Sequence, residues 1–423
     1  AHHVAGRLDL SGALATARLR DASARVVARH APLRTVFREG ADGTAEPVVL
    51  PDLSVAMDEE DLRAADGVAD EARVVDTLRR LNGRPFDLAS GPLLRVACLR
   101  VGRDAQMLVI VMHHIVSDGA SMQVLLDDLA ARLRDGGAAP SPLPLSYAAH
   151  AARGRGRLGG GGGAPPLGGR GATLGDDHPV LELPADHPRP SQAQYTAGCL
   201  TVDVPDELVQ DLRRLAAAEG ATLFMVLLAG YQALLHRYTG QRDVRVGAPM
   251  ANRPHDTRGL VGLFVNTVVL RAVVHGRMPL AEVLARAKSA ALGAQANQDL
   301  PFEQLVEALR PERSLSHNPL VQVTLNHIAE DFRAFESALG VSLTGHEVLR
   351  ETVQFDLTLE THETPDGRLR ASFVHAKELF EPATIRALAG HYLALLRAFV
   401  EQPGQALADV PLLYGLGRAR QAA

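Results

Sequence analysis

The residues best suited to chemistry lie in one short segment, MLVIVMHHIVSDGAS at positions 107–121. Its pattern is typical of a strand, a tight turn and the start of a helix. Neighbouring side chains of a strand point to opposite faces, so His113 and His114 cannot both face one cavity while the strand stays extended. We therefore expect one histidine to be buried and the other to face a channel. Asp118 can cap the helix or pair with an arginine, and Gly119 offers an unobstructed backbone N–H.

Other kinds of site fit this segment less well. A histidine pair at a strand end more often serves packing and hydrogen bonding than catalysis. A metal site needs converging ligands, whereas adjacent strand histidines diverge and no third ligand stands nearby, so we expect no bound metal. The sequence contains neither a GxSxG nucleophile elbow nor a GxxxxGK[ST] phosphate loop. The chemistry then depends on one histidine and on positioning.

The elements around this segment predict an α/β fold with two lobes. Apolar runs at 93–101 and 107–112 predict strands buried on both faces. Further strands are predicted at 33–37, 244–248 and 320–328, with a hairpin formed by 352–361 and 368–375. Helices are predicted at 14–30, 71–81, from Gly119 to about 135, and at 206–218, 222–238, 279–293, 301–309 and 382–400. A Gly-rich stretch divides the chain into an N-terminal lobe (1–152), a linker (153–176) and a C-terminal lobe (177–423).

Composition excludes several classes of protein. The 423 residues are 46% hydrophobic and 22% charged, which excludes a disordered chain, a collagen and a coiled coil. The net charge of −5 argues against nucleic-acid binding. Because there is no apolar run of about 18 residues and no secretory signal, we expect a cytoplasmic protein without membrane contact. Cys98 and Cys199 lie in apolar runs and are expected to be buried thiols.

Five segments together resemble one enzyme family. HHIVSDG (113–119) is similar to the HHxxxDG motif of condensation domains from nonribosomal peptide synthetases. Four further segments resemble the family's other motifs and occur in the same order: RHAPLRTVF (29–37), GLVGLFVNTVVLR (259–271), NQDLPFE (297–303) and RSLSHNPL (313–320). The resemblance covers about residues 3 to 413.

The resemblance implies a fold, an activity and partners. The family has two chloramphenicol-acetyltransferase-like lobes in a V-shaped pseudo-dimer with a central tunnel. Its members join a donor aminoacyl or peptidyl thioester to the α-amine of an acceptor aminoacyl thioester. Both substrates arrive on phosphopantetheine arms of donor and acceptor carrier proteins, so no cofactor is bound to the chain itself. A neighbouring adenylation domain is a further expected partner, and the chain would be one monomeric unit of a larger synthetase.

The resemblance also assigns roles to residues. His114 corresponds to the active-site histidine, and Gly119 lies beside the reacting carbonyl. His113 and Asp118 support the site, with Arg253 as the arginine of the second lobe that pairs with Asp118. Further tunnel or substrate positions are Ser117, Ala120, Asn266 and Asn318. For Asn266 a structural role is favoured over direct chemistry.

Departures from the family pattern leave alternatives open. The family's opening motif is absent, so the chain is expected to be a trimmed or partial domain that begins near the first strand. LSYAAHAARGRGRLGGGGG stands where the family has YxDYAxW and then an amphipathic helix, so we expect that helix to be lost or degraded. The pattern most resembles domains that join an L-donor to an L-acceptor. Ester formation, N-acylation by a starter domain and a catalytically silent carrier-docking module remain alternatives.

Overall fold

A computed structural model describes most of the chain, namely residues 3–11, 16–134, 141–159, 174–175, 177–192, 195–311, 314–329, 331–339, 342–347 and 351–412. Two compact units divide the chain. The first contains Ala1–Gly162, Arg253–Val265 and Glu330–Leu349, and the second contains Gly163–Asn252, Asn266–Ala329 and Arg350–Ala423. The chain therefore does not divide once at 153–176. Two segments of the expected C-terminal lobe belong to the first unit, because they bond to its sheet and its helices.

Strands and helices alternate along the chain, as the sequence predicts. The strands are β1 (His3–Ser11), β2 (Thr35–Glu39), β3 (Ala45–Val49), β4 (Met57–Asp61), β5 (Leu94–Arg100), β6 (Ala105–His113), β7 (Tyr195–Val204), β8 (Asp243–Met250), β9 (Asn266–Val273), β10 (Val323–Ala329), β11 (Ser342–Glu347), β12 (Thr352–Val353), β13 (Leu357–Glu363) and β14 (Leu369–Ala376). The helices are α1 (Thr16–Arg29), α2 (Glu71–Gly83), α3 (Gly119–Leu133), α4 (Tyr147–Gly159), α5 (Asp206–Ala218), α6 (Leu223–Thr239), α7 (Leu280–Gln295), α8 (Phe302–Leu309), α9 (Arg333–Leu339) and α10 (Pro382–Glu401).

A five-stranded sheet forms the centre of the first unit. Its order among the described strands is β11-β1-β6-β5-β4, and β1 pairs antiparallel with both β11 and β6. The central strands β5 and β6 are buried on both faces, as their apolar runs predict. One face of these two strands packs against α1 and α3 through Leu94, Val96, Leu108, Ile110 and Met112. The other face packs against α2 through Ala97, Leu99, Met107, Val109 and Val111.

Two strands between residues 40 and 70, β3 and β4, are not among those predicted from the sequence. The strand β4 has the sequence MDEED and lies at the edge of the five-stranded sheet, where it is largely exposed. Edge strands carry charged side chains because their faces and one backbone edge meet solvent, so apolar periodicity is missing. The strand β3 pairs with β2 in a separate two-stranded sheet.

A seven-stranded sheet forms the centre of the second unit, in the order β12-β7-β14-β13-β10-β8-β9 among the described strands. The predicted hairpin is present as β13 and β14, which pair antiparallel across the turn at Gly367. The helix α6 is buried from Met225 to His236. Thr222 caps its start by accepting the Met225 N–H, and Gly240 ends it with a φ of +70°, as predicted. Both units thus mix sheets with helices, which confirms the α/β class.

A helix occupies the start of the segment in which one was expected to be lost or degraded. The helix α4 runs from Tyr147 to Gly159 and therefore occupies the first residues of the expected linker. The Ser146 hydroxyl accepts the Ala149 N–H and so caps its start. Of the rest of the expected linker, residues 160–173 and 176 lie outside the described part of the chain.

The two cysteines, both expected to be buried, differ in exposure. Cys98 is buried as expected, whereas Cys199 is exposed, because its position on β7 places it on the less covered side of that strand.

Among the described helices no single one is long and apolar enough to cross a membrane. The consecutive helices α5 and α6 reach that length and apolar composition only when they are taken together, and the chain bends by 105° between them.

Candidate active site

The HHIVSDG segment folds as the end of a strand, a short turn and the start of a helix. The strand β6 ends at His113, a 3-10 turn covers His114–Val116, and α3 begins at Gly119. The chain is therefore no longer extended at His114. Both histidines are half-buried, which corrects the expectation that one would be fully buried. The turn, rather than the alternation of a strand, gives the two rings their different surroundings.

His113 stabilises the turn. Its Nδ1 atom accepts the N–H of Ile115 at 3.0 Å, so this nitrogen carries no proton and Nε2 carries it instead. The ring lies in edge contact with Phe86 and His3, both with centroids 6.0 Å away. The guanidinium carbon of Arg95 lies 3.6 Å from the centre of the Phe86 ring. These contacts agree with a supporting role for His113.

His114 has the opposite arrangement of ring protons. Its Nδ1 atom lies 2.8 Å from the carbonyl oxygen of Ser117. A carbonyl oxygen can only accept, so Nδ1 carries the proton and donates it. In the neutral ring Nε2 then presents a lone pair. This is the form that a histidine needs in order to accept a hydrogen bond or a proton from an incoming group.

Ser117 holds the turn together from inside. Its side chain is fully buried, and its hydroxyl donates to the His113 carbonyl at 3.0 Å. The hydroxyl is therefore directed inward, and a place for Ser117 beside the substrate stays a prediction. The backbone of Ser117 contributes as well, since its carbonyl orients the ring of His114.

Asp118 is the most heavily bonded side chain of the segment. It is 1% exposed. Its Oδ1 accepts from Ser121 N at 2.9 Å, Ser121 Oγ at 2.8 Å and Arg253 Nη2 at 2.6 Å. Its Oδ2 accepts the N–H groups of Phe264 at 3.0 Å and Val265 at 3.2 Å. Both expected uses of the carboxylate, as a helix cap and as an arginine partner, are present together.

Arg253 completes this buried ion pair. Its side chain is 7% exposed and also donates to the carbonyls of Leu260 at 2.6 Å and Thr257 at 3.3 Å. Its guanidinium carbon lies 4.2 Å from the centre of the Phe264 ring. Arg253 was expected from the second lobe, but it belongs to the first compact unit with the rest of the 253–265 segment. The pair thus joins two distant parts of the sequence within one unit.

The start of α3 leaves space beside the turn. Gly119 is exposed, and a Cβ atom placed on it would meet nothing within 4 Å. Ala120 is half-buried. An incoming carbonyl could therefore approach the backbone here without obstruction from Gly119 itself.

The two asparagines belong to the second unit, so the structure does not bring them together with His114 in one unit. Asn266 donates to the carbonyls of Gln298 at 2.7 Å and Leu300 at 2.6 Å, and it accepts the Phe302 N–H at 3.1 Å. These bonds fix the approach to α8 and favour the structural role. Asn318 donates to the carbonyl of Gln354.

Sequence reasoning missed three residues that hold the site. Ser121 exchanges hydrogen bonds with Asp118, and its hydroxyl also accepts the Gly262 N–H at 3.1 Å. The Asp-x-x-Ser spacing at a helix start was an available signal for this cap. Tyr147 and Phe264 lie in ring contact at 5.3 Å, which no local pattern indicates. No group of three or more His, Cys, Asp or Glu side chains suited to a metal occurs among the described residues.

Known proteins resemble this chain in sequence and in fold. The model of the Condensation domain family matches residues 1–418. The chain is 38% identical over 397 residues to one of the linear gramicidin synthase proteins of Brevibacillus parabrevis, covering 92% of this chain and 5% of that protein. It is also 38% identical over 427 residues to phosphinothricin tripeptide synthetase PhsC of Streptomyces viridochromogenes, covering 97% and 38% respectively. The chain thus spans well under half of these relatives.

Solved structures share the fold. The condensation domain of the monacolin K polyketide synthase MokA matches with a TM-score of 0.85 at 22% identity, covering 96% of this chain and 94% of that one. A teicoplanin-biosynthesis X-domain, solved in complex with OxyB, matches with a TM-score of 0.81 at 25% identity, covering 98% and 91%. The family model and the relatives confirm the resemblance of the five motifs: the chain belongs to the condensation-domain family, the amide-bond-forming acyltransferases of nonribosomal peptide synthetases.

Proposed function

We propose that this chain joins a donor aminoacyl or peptidyl thioester to the α-amine of an acceptor aminoacyl thioester. The observation that carries the proposal is the arrangement of His114, whose Nδ1–H is bound by the Ser117 carbonyl at 2.8 Å while Nε2 is left to accept. Condensation domains carry no cofactor of their own, and their substrates arrive on the phosphopantetheine arms of carrier domains. Donor and acceptor carrier proteins and an adjoining adenylation domain are the partners in this proposal.

The reaction needs little activation of either reactant. The amine nitrogen attacks the thioester carbonyl carbon, a C–N bond forms, the C–S bond breaks, and the donor arm leaves as a thiol. An α-amine has a pKa near 8, so about a tenth of it is neutral at pH 7. His114 Nε2 accepts the proton that the attacking nitrogen loses and returns it to the departing sulfur. Holding two reactants in register supplies a large share of the rate enhancement.

The residues around His114 position it rather than react. Asp118 and Arg253 fix the start of α3, and the Ser117 carbonyl immediately before it fixes the imidazole. His113 fixes the turn from the other side through Ile115. Gly119 leaves room for the thioester carbonyl beside the exposed end of the helix.

The finer substrate assignment follows the same resemblance. HHIVSDG and LFMVLLAGYQALLHRY are most similar to the segments of domains that use an L-donor and an L-acceptor. The two named relatives are a linear gramicidin synthase protein and a phosphinothricin tripeptide synthetase. Transfer from an L-donor at a rate well above that from its D-enantiomer supports this assignment, and the reverse order contradicts it.

The experiment uses two carrier proteins, one loaded with a donor and the other with an acceptor amino acid, from a small panel. Intact-protein mass spectrometry follows the acceptor carrier. We expect its mass to grow by one donor residue, with His114→Ala slowing the growth by about 10²–10⁴-fold. A variant at full rate would remove His114 from the mechanism. No growth from any pair, with both carriers still binding, would indicate a docking module, and growth on a hydroxyl acceptor would indicate ester formation.

A further inference from the structure

A segment that crosses the start of α3 holds Asp118 in place. Residues 262–265 donate hydrogen bonds to Asp118 and to Ser121: the N–H groups of Phe264 and Val265 bind the carboxylate, and the Gly262 N–H binds the Ser121 hydroxyl at 3.1 Å. The orientation of Asp118 therefore depends on the position of this short stretch of backbone. The same stretch contains no helix or strand that would fix it by itself.

The helix α4 supplies the missing support through its first residue. The hydroxyl of Tyr147 donates to the Leu263 carbonyl at 2.9 Å. Burial raises the pKa of Tyr147, so the hydroxyl stays protonated and can donate across the neutral pH range. The bond holds the peptide directly before Phe264, and that residue's N–H binds Asp118 Oδ2.

The Tyr147 ring adds a steric constraint on the same stretch. A Cβ atom on Gly262 would lie 2.3 Å from Tyr147 Cδ2, so the ring rests directly against the backbone of Gly262. The ring also meets Phe264 at an interplanar angle of 86°, and the Phe264 ring in turn carries the guanidinium of Arg253. Tyr147 thus touches three consecutive residues of the stretch.

A continuous series of contacts leads from Tyr147 to the imidazole of His114. Tyr147 fixes Leu263 and Phe264, whose backbone fixes the carboxylate of Asp118. The residue preceding Asp118 is Ser117, whose carbonyl accepts from His114 Nδ1. A shift of Asp118 therefore moves the group that determines which ring nitrogen of His114 carries the proton.

We propose that Tyr147 is a positioning residue for His114 and acts through the 262–265 backbone and Asp118. The inference rests on the proposed function for its kinetic consequence, but its structural consequence can be measured without turnover. When the hydroxyl is lost, the Ser117 carbonyl is held less firmly. The His114 ring then divides between the Nδ1–H and Nε2–H forms, and only the first leaves Nε2 free to accept.

The test uses Tyr147→Phe, which keeps the ring against Gly262 and Phe264 and removes only the bond to Leu263. Tyr392→Phe is the matched control. The Tyr392 hydroxyl also donates to a main-chain carbonyl, that of Leu227 at 3.1 Å, but it lies in the core of the second unit. The two variants thus lose the same kind of bond, one beside the site and one in the other unit.

The first readout is the tautomer of His114, measured by NMR of ring-¹⁵N-labelled histidine and assigned by the signal that disappears in His114→Ala. We expect the Nδ1–H form in the wild type and in Tyr392→Phe, and a mixture of both forms in Tyr147→Phe. An unchanged His114 tautomer in Tyr147→Phe overturns the proposal. This holds even if the wild type shows no peptide transfer, so a failure of the proposed function is recognised separately.

The second readout is kinetic. We expect Tyr147→Phe to lower kcat by about five-fold, the effect of one ordinary hydrogen bond, with KM for both loaded carriers unchanged. Tyr392→Phe should lower the melting temperature and leave kcat unchanged. In an Asp118→Asn background the additional effect of Tyr147→Phe should disappear, because the connection to His114 is already weakened. A full five-fold effect in that background, or a change confined to KM, would contradict action through Asp118.

Discussion

Replacing Asp118 by alanine should damage the stability of the first unit as well as the transfer rate. The carboxylate accepts five hydrogen bonds in a site where its own side chain is 2% exposed and that of Arg253 is 7% exposed. Alanine leaves the guanidinium of Arg253 buried without its anion. It also leaves the N–H groups of Phe264 and Val265 without the acceptor that they have here.

The magnitude follows from the burial of the pair. Breaking a buried ion pair by removing one partner costs about 3–5 kcal/mol. Loss of a helix N-cap alone costs about 1 kcal/mol, so the charge and the backbone donors account for most of the effect. For a unit of this size, that corresponds to a fall of roughly 6–20 °C in melting temperature.

The assay is thermal and denaturant unfolding of four proteins: the wild type, Asp118→Ala, Arg253→Met and the double variant. Removing both partners eliminates the unpaired buried charge, so the double variant should be less destabilised than the sum of the two single variants by about 0.5–3 kcal/mol. Asp118→Asn, which keeps the shape and an acceptor oxygen, should unfold between the wild type and Asp118→Ala.

The reasoning fails if Asp118→Ala melts within about 2 °C of the wild type, which is the range of ordinary surface substitutions. It also fails if the two single variants are destabilised and their effects simply add. Normal stability with slow transfer would instead make Asp118 a participant in the chemistry rather than a support.

Three further outcomes follow from individual contacts. Gly262→Ala should cost about 1–3 kcal/mol because its Cβ would lie 2.3 Å from Tyr147, and adding Tyr147→Ala should recover part of the melting temperature if this clash is the cause. Asn266→Ala should lower the melting temperature by leaving three backbone groups without partners, whereas a normal melting temperature with altered KM would indicate a substrate contact. Burial lowers the pKa of His327 below its usual 6.5, so the folded state binds fewer protons there than the unfolded state as pH falls from 7 to 5. The free energy of unfolding should therefore decrease as the pH falls over that range, and it should decrease less steeply in His327→Gln. His255 is exposed and serves as the control. If His255→Gln changes the slope of unfolding free energy against pH by the same amount, burial of His327 is not the cause.

The sequence by itself determined the local features of the fold. The helix at 206–218 coincides with its prediction, and Thr222 and Gly240 bound the next helix as expected. These signals act over a few residues, since a cap, a left-handed glycine and a helical period each depend on nearby chain. The turn after His113 and the two-sided burial of β5 and β6 were readable for the same reason.

Part of the site was also readable from motifs. The resemblance selected Arg253 as the partner of Asp118, and the two residues form an ion pair at 2.6 Å although 135 positions separate them. The motif could not give the partners of the other carboxylate oxygen, the N–H groups of Phe264 and Val265. Backbone groups have the same chemistry at every residue, so no residue type marks them in a sequence.

Only the tertiary structure decided which segments build the first unit. Arg253–Val265 and Glu330–Leu349 belong to it although they lie within the C-terminal half, and β11 pairs with β1 across more than 330 residues. It also decided that α4 persists to Gly159 and that the Ser117 hydroxyl points inward. The physical reason is common to all of these cases. Local conformation is encoded by neighbours in the chain, whereas contact between distant segments depends on the path of the whole backbone.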